Sequence, residues 1–332
     1  MGKMVRARRY SGIVANITAR KGLNLQLEID ACYQRGARRF VLSGEFFPER
    51  AKNSLIELQY DSDIVIEASS KGAALNGSYQ VMHVVLIREG RVTLRGLDIC
   101  HGTTRKTGLW QKVKKGIPRA SIYNFIDGPG IIVTGKASAI IEDCNVHDND
   151  SFMCGAGISI QQHSAKGPVR LIHCRVFNNR AQDTGAGIDV LTPGSFLAAE
   201  SCTFDNNKSN LLLPGVHRNG QVSLFPETFA ELNDCTFICS KAPAVDFHQR
   251  SCIYMRDTHF VQPVKMENQV KKAGGIPLNI LYIFCHLIIG AYAMIRYLDS
   301  AYPWITKERS SVLGQMRTRF LTKHRVTHSL VS

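Results

Sequence analysis

The stretch VHDND, residues 146–150, carries the densest group of side chains capable of proton transfer or cation binding. His147, Asp148 and Asp150 could serve as a general acid and base, or as ligands for Ca²⁺. The alternative is that they are turn residues beside a ladder of stacked asparagines, because Asp and Asn side chains are common in turns. The turn interpretation is the stronger one, and Asp148 stays a weak catalytic candidate.

Two further carboxylates, Asp183 and Asp189, are weak catalytic candidates as well. Asp189 directly follows a GAGI stretch, and it is expected to point outward if Ile188 and Val190 point inward. Ser159 would then lie on the same outward face one repeat earlier, and Asp183 would lie in the preceding turn. One exposed Asp per repeat is also ordinary for a solvated surface.

The cysteines are candidates for metal ligation, but their spacing favours a structural role. The ten cysteines contain no CxxC pair of the kind that metal sites use. Four of them instead recur at long intervals of 30, 28 and 33 residues, at Cys144, Cys174, Cys202 and Cys235. We therefore predict no metal site and no cofactor, and we expect these four thiols to stack inside the fold.

The cysteines belong to a wider repeat in which a small or sulfur-bearing residue is followed, two positions later, by a large apolar one. Each unit alternates with the period of a strand. A second feature is in register in three consecutive units, because an asparagine lies three residues after the large apolar residue, at Asn149, Asn179 and Asn207. The units are LDI at 97–99, CNV at 144–146, CRV at 174–176, CTF at 202–204, CTF at 235–237 and THF at 258–260.

One strand per repeat cannot bury its own apolar face. Parallel stacking of successive turns, roughly 4.8 Å apart, buries a continuous interior and pairs the backbone edges. The repeat therefore predicts an all-β parallel solenoid. Its interior would contain the cysteine stack, and its turns would contain a ladder of asparagine amides.

The GAGI, FNN and FDNN stretches resemble the repeats of right-handed parallel β-helices in the pectin-lyase-like superfamily. Residues 23–46 resemble the entry segment of these folds, in which a short amphipathic helix caps the open end. Leu25, Ile29 and Cys32 would form the apolar face of that helix. The resemblance covers residues 23–262, and residues 1–22 form a basic segment before it. It implies a fold more than a function, because the superfamily contains lyases, hydrolases, epimerases and noncatalytic binding modules.

Known catalytic signatures of this superfamily do not occur in the sequence. The NTD, DD, GHG and RIK motifs of polygalacturonase-like relatives are missing. A basic insert, residues 104–119, contains no acidic residue and lengthens one repeat. It could hold an acidic glycan through charge and stacking, or it could be a solvated loop. Its candidate ligand-binding residues are Arg105, Lys106, Trp110, Lys112, Lys114, Lys115 and Arg119.

The net charge of +14 favours acidic partners. No recognisable nucleic-acid module accompanies the basic insert, so nucleic acid ranks below acidic polysaccharide or protein. The opening residues do not resemble a secretory signal peptide, so we expect reduced cysteines and a cytosolic β-helix.

The repeat pattern ends near residue 262, and residues 263–275 are predicted to be a linker. Residues 276–296 are predicted to form a hydrophobic helix, because positions 276 to 295 contain no Asp, Glu, Lys or Arg. That length suits a transmembrane anchor, and the alternative is a buried helix that caps the solenoid. Residues 297–332 form a basic tail.

Two functions remain open at this point. The first is a noncatalytic β-helix scaffold that recognises an extended acidic glycan or protein. The second is a polysaccharide lyase, epimerase or hydrolase that acts on a uronate-type polymer through Asp148, Asp183 or Asp189.

Overall fold

The fold, described by a computed structural model, is an all-β parallel solenoid with one helix among the described residues. Each turn of the solenoid, which we call a coil, contributes strands to three long faces. The described residues are 12–49, 53–105, 127–163, 167–182, 184–209, 220–238, 244–248 and 250–261.

The N-terminal coils use longer strands than the later ones. The first strands run through what become two separate faces farther along, so that one long strand pairs with two shorter strands of the next coil. The first strands are β1 (Ile13–Thr18), β2 (Ala37–Phe46) and β4 (Ile64–Asn76), and the helix α1 (Leu25–Gln34) lies between β1 and β2 in the chain.

Face A and face B follow one another within each coil, and every strand pair in them is parallel. The strands of face A are β6 (Arg91–Arg95), β9 (Ser138–Glu142), β13 (Val169–Ile172), β17 (Phe196–Glu200), β21 (Phe229–Asn233) and β24 (Cys252–Arg256). The strands of face B are β7 (Leu97–Cys100), β10 (Asn145–His147), β14 (Arg175–Phe177), β18 (Thr203–Asp205), β22 (Thr236–Ile238) and β25 (His259–Val261).

Face C closes each coil, and short strands lead into it from face B in three coils. The strands of face C are β3 (Ser54–Gln59), β5 (His83–Glu89), β8 (Ile131–Gly135), β12 (Ile158–Gln162), β16 (Ile188–Val190), β20 (Val222–Leu224) and β23 (Val245–Phe247). The short strands are β11 (Asp150–Ser151), β15 (Arg180–Ala181) and β19 (Lys208–Ser209), which form a separate three-stranded sheet.

A single continuous hydrophobic cluster fills the solenoid because inward residues are in register from coil to coil. On face B, Val146 pairs with Val176, which pairs with Phe204, which pairs with Phe237. The rings of Phe204 and Phe237 stack with centroids 4.7 Å apart. Strand alternation in the repeat therefore becomes an interior column of apolar side chains.

Left-handed residues make the corners of each coil. Between faces A and B, the residue before each repeat cysteine has a positive φ, as at Asp143 (53°) and His173 (53°). Between faces B and C, the residue before each in-register asparagine also has a positive φ, as at Asp148 (52°) and Asn178 (55°). Asp and Asn tolerate this conformation better than most residues.

The predicted capping helix is confirmed as α1. The Asn24 side chain accepts a hydrogen bond from the Leu27 backbone N–H at 3.2 Å, which satisfies one of the free donors at the helix start. Leu25 and Ile29 are buried, and Cys32 packs against the core. The solenoid begins earlier than predicted, because β1 pairs in parallel with β2 and so brings part of the basic segment 1–22 into the fold.

No helix among the described residues is long and apolar enough to span a membrane. The predicted linker 263–275, hydrophobic helix 276–296 and basic tail 297–332 all lie outside the described residues.

Candidate functional site

Polar and titratable side chains from several coils meet where face B turns toward face C, and we call this group the corner site. It lies on the outside of the solenoid, because the residues between its members, such as Ile99 and Val146, point into the core. The corner site consists of Tyr79, Asp98, Cys100, His101, His147, Asp148 and Asp150.

His147 is the centre of the corner site and lies between two carboxylates. Its Nε2 is 2.9 Å from Oδ1 of Asp98, and its Nδ1 is 2.7 Å from Oδ2 of Asp148. The ring also stacks on Phe177 of the next coil, with centroids 4.6 Å apart. Burial lowers the pKa of His147, but the two carboxylates outweigh burial and raise it overall. Both ring nitrogens can donate to carboxylates only in the charged imidazolium.

Asp98 and Cys100 reach His147 from the preceding coil. Asp98 and Cys100 alternate with buried Leu97 and Ile99 on β7, and Cys100 is in register with His147 on β10. The Asp98 oxygen, the Cys100 sulfur and a His147 ring nitrogen all lie within 4.8 Å of one another. Burial raises the pKa of the Cys100 thiol to about 12, so this thiol is a protonated group in the metal-free protein.

Tyr79 and His101 extend the corner site toward the N-terminus. Their rings are 4.9 Å apart, and His101 lies 6.4 Å from the ring of His147 in an edge-on arrangement. Both residues have a left-handed backbone, with φ of 53° and 58°. Burial, together with Asp148 and Asp150, raises the pKa of the Tyr79 hydroxyl.

Cations flank the corner site along the three-stranded sheet. Asp150, Arg180 and Lys208 are in register on consecutive coils. Arg105 contacts Asp150, with Nε 2.6 Å from Oδ1. Arg180 and Lys208 are exposed, and neither forms an ion pair with any residue that the structure describes.

The Asn149, Asn179 and Asn207 side chains form a buried ladder directly beneath the corner site. Asn149 Nδ2 donates to Asn179 Oδ1 at 3.0 Å, and Asn179 Nδ2 donates to Asn207 Oδ1 at 2.9 Å. Gln221 continues the ladder, because Asn207 Nδ2 donates to its Oε1 at 2.8 Å. The sequence contained no signal for Gln221, since it lies 14 residues after Asn207 and outside the repeat spacing.

The four repeat cysteines lie inside the solenoid, beneath the corner between faces A and B. Cys144, Cys174, Cys202 and Cys235 are all buried. The Cys202 thiol donates to the Glu200 carbonyl at 3.2 Å and the Cys235 thiol to the Asn233 carbonyl at 3.3 Å, and burial raises the pKa of Cys144. The Cys174 sulfur also donates to the Ile141 carbonyl at 3.2 Å. These thiols have structural partners and lie away from solvent.

Asp189 does not lie on an exposed face, contrary to the sequence-based expectation. Its side chain leaves the outer side of face C, in register with Ser159 and Ser223, yet all three residues are buried. Three short segments cover them, and we call these segments the glycine cover. It consists of residues 127–130, 154–157 and 184–187, and backbone hydrogen bonds join the first to the second and the second to the third.

Glycine is required in this cover because the outer side chains lie directly below it. A Cβ placed on Gly155 would lie 2.1 Å from Asp189 Oδ1, and a Cβ on Gly185 would lie 3.0 Å from Asp189 Cβ. Both glycines have positive φ, at 56° and 62°. The GAGI stretches that begin face C therefore also seal its outer surface.

Asp189 is a buried carboxylate whose negative charge receives little stabilisation from the groups around it. Burial raises its pKa to about 7, although the nearby Ser159 hydroxyl lowers it. Neither carboxylate oxygen has a partner with hydrogen-bond geometry among the described residues. An enclosed Asp cannot contact a polymer outside the solenoid, so its predicted role as an exposed catalytic residue is not supported by its position.

Several predicted site residues lie outside the described residues. Asp183 is one of them, and of the basic insert only Thr104 and Arg105 are described. The unplaced ligand candidates are Lys106, Trp110, Lys112, Lys114, Lys115 and Arg119.

Asp98, Cys100, Tyr79 and His101 were missed because they lie 47 to 69 residues before Asp148 in the sequence. The repeat unit LDI at 97–99 was the one available signal. Extending its register from Ile99 to Val146 would have placed Cys100 beside His147.

Comparison with known proteins identifies the fold. Residues 56–213 match the family model described as a right handed beta helix region. These coils are a right-handed parallel β-helix. Among solved structures, the β-helix is similar to the pectate lyase Pel9A, at 11% identity and a TM-score of 0.32, covering 68% of this chain and 70% of that one. A likeness this distant transfers no activity. Curated protein sequences contain no match.

Proposed function

We propose that the β-helix is a noncatalytic scaffold that binds an extended acidic polysaccharide along the outer edge of the corner site. The observation that carries this proposal is the register of Arg180 and Lys208, two exposed cations on consecutive coils without ion pairs among the described residues. Successive coils lie roughly 4.8 Å apart, so a polymer parallel to the solenoid axis would meet Arg180 and Lys208 at two successive steps.

An exposed aromatic side chain in the corner site supports a sugar ligand. Tyr79 is 39% exposed. Its ring is amphipathic, and such rings suit the apolar faces of sugar rings. Arg105, the first cation of the basic insert, contacts Asp150 in the corner site. An acidic protein segment is the alternative ligand for the same charges.

The test is retention of the full-length protein on immobilised polygalacturonate, compared with a neutral polysaccharide. We expect the double variant Arg180→Gln/Lys208→Gln to bind about tenfold more weakly, since each exposed ion contact contributes about 0.7 kcal/mol. Arg170→Gln is the matched control, because Arg170 is an exposed cation on face A of the same coil. Equal retention of the double variant and the wild type would refute the proposed site.

The second candidate function, a uronate lyase, epimerase or hydrolase, is favoured by one observation. His147 lies between Asp98 and Asp148, with Tyr79 and His101 close by, so proton donors and acceptors are concentrated at an accessible position. Asp148 and His147 would then carry the chemistry, and Asp189 would not.

This candidate predicts new chain ends, or epimerised residues, when the full-length protein is incubated with the same polymer. His147→Gln should abolish turnover, whereas Asp189→Asn should retain it. Binding without any turnover across a panel of uronate polymers would exclude the enzymatic function and retain the scaffold.

A further inference from the structure

The geometry points to a Zn²⁺ site formed by Asp98, Cys100 and His147. This proposal does not rest on glycan binding, and it differs from the sequence-based prediction of no metal site. The three side chains come from two adjacent coils and offer one oxygen, one sulfur and one nitrogen within 4.8 Å of one another. Such a mixed donor set with sulfur and imidazole suits Zn²⁺ better than Ca²⁺ or Mg²⁺.

The ligand positions are close to those that zinc requires. In a tetrahedral site, bond lengths of about 2.0 to 2.3 Å separate neighbouring donor atoms by roughly 3.3 to 3.6 Å. His147 Nε2 and Asp98 Oδ1 are 2.9 Å apart, so these two atoms would separate slightly. The two donor atoms that lie farthest apart are within 4.8 Å of each other, so they would move closer by at most roughly 1 Å. Side-chain rotation on two paired strands can supply such movements without changing the register of the coils.

Asp148 supplies a second, independent feature of a histidine metal site. It accepts the Nδ1 proton of His147 at 2.7 Å, on the side of the ring away from Asp98. A carboxylate in this position fixes the tautomer that presents Nε2 to a metal, and it orients the ring. Phe177 restrains the same ring by stacking, so His147 is held from two directions.

Metal binding would replace the proton between His147 and Asp98. The Nε2 proton and the Cys100 thiol proton would both pass to solvent, while the Nδ1 proton would stay on Asp148's side of the ring. Three protein ligands leave a fourth position for water. The Asp98 side chain is 41% exposed, so that position would face solvent.

The experiment is a titration of the chelator-treated full-length protein with Co²⁺ alone, which reports thiolate ligation by a sulfur-to-cobalt charge-transfer band. We expect one equivalent of Co²⁺ to produce this band and Zn²⁺ to displace it. Cys100→Ser should lose the band. Asp148→Asn should keep the band but weaken binding about 10- to 100-fold, since Asp148 orients a ligand without touching the metal.

Cys252→Ser is the matched control, because Cys252 is an exposed thiol on β24 of face A and should leave the titration unchanged. His147→Gln provides a second ligand variant should Cys100→Ser fail to fold, with circular dichroism confirming the β-helix. The proposal is overturned if the wild type gives no stoichiometric band. It is also overturned if the band survives in a folded Cys100→Ser or if His147→Gln binds Co²⁺ with wild-type affinity.

Discussion

The corner site and the covered surface of face C are both outward surfaces of the same coils, but they provide opposite environments for a carboxylate. Asp148 at the corner is partly exposed and contacts a histidine. Asp189 is completely buried, and its carboxylate has no hydrogen bond of good geometry with any residue that the structure describes. The difference arises from the chain segment that precedes each strand. Face B follows a two-residue corner, such as Asp143 and Cys144, that leaves it open, whereas the glycine cover folds over face C.

This contrast shows that alternation in a solenoid strand separates core from non-core positions but does not identify solvent. A residue that points away from the core can still be enclosed by a preceding turn. The corner between faces B and C is the structure shared by the two regions, because the asparagine ladder lies beneath it.

The largest effect is expected from breaking this shared corner. Asn179→Ala should lower the free energy of unfolding by about 4 kcal/mol, since it removes four buried hydrogen bonds that the Asn179 side chain makes to Asn149, Val146 and Asn207. Chemical denaturation would measure it. Asn178→Gly is the control, because Asn178 is partly exposed in the same turn, glycine tolerates its left-handed backbone, and the change should cost much less. Equal losses would contradict the role of the ladder.

The glycine cover should be the next most sensitive region. Gly155→Ala is expected to cost about 3 kcal/mol, because the added methyl group meets the Asp189 carboxylate and the backbone has a positive φ. Gly167→Ala is the control, since a Cβ there meets nothing within 4 Å and no positive φ is involved. Thermal unfolding of both variants would show whether the cover is tightly packed; a tolerated Gly155→Ala would mean that it opens readily.

Asp189→Asn should change stability in a way that depends on pH. Because the folded pKa of Asp189 is raised to about 7 from an ordinary 3.8, the folded state holds a proton that the unfolded state loses between these pH values. Wild-type stability therefore falls as pH rises from about 4 to 7.

At pH 8 the Asn variant should be more stable than the wild type by about 2 kcal/mol, less than the full ionisation cost because its amide also needs partners. At pH 4 the two proteins should be nearly equal. Denaturant midpoints at both values would test this, and a difference independent of pH would indicate that Asp189 is solvated.

The smallest effect is expected at the exposed side of the corner. Asp98→Asn should lower the pKa of His147 and reduce stability by about 0.5 kcal/mol at pH 6, because the pair is partly screened by solvent. A raised folded pKa stabilises the protein below the unfolded value of 6.5, and this contribution disappears as pH rises through the folded pKa. An NMR titration of the His147 ring would follow the pKa, and an unchanged value would contradict the contact.

Much of the fold was predictable because it depends on short-range pattern. The strand period around each cysteine, the in-register Asn149, Asn179 and Asn207, and the apolar face of the N-terminal helix all correspond to observed elements. The site was less predictable. Asp148 was identified, but Asp98 and Cys100 lie about one coil away in the chain. Only strand pairing brings these two residues to His147, the neighbour of Asp148.

The amino-acid sequence alone was enough to establish a parallel solenoid, because a repeated alternation of apolar residues has few other ways to bury its surface. Which outward residues meet solvent depended on the tertiary structure. Asp189 and Asp148 look alike in sequence, each beside a turn and a strand. Their environments differ because backbone from neighbouring coils covers one and leaves the other open, and no local pattern encodes contacts between separate coils.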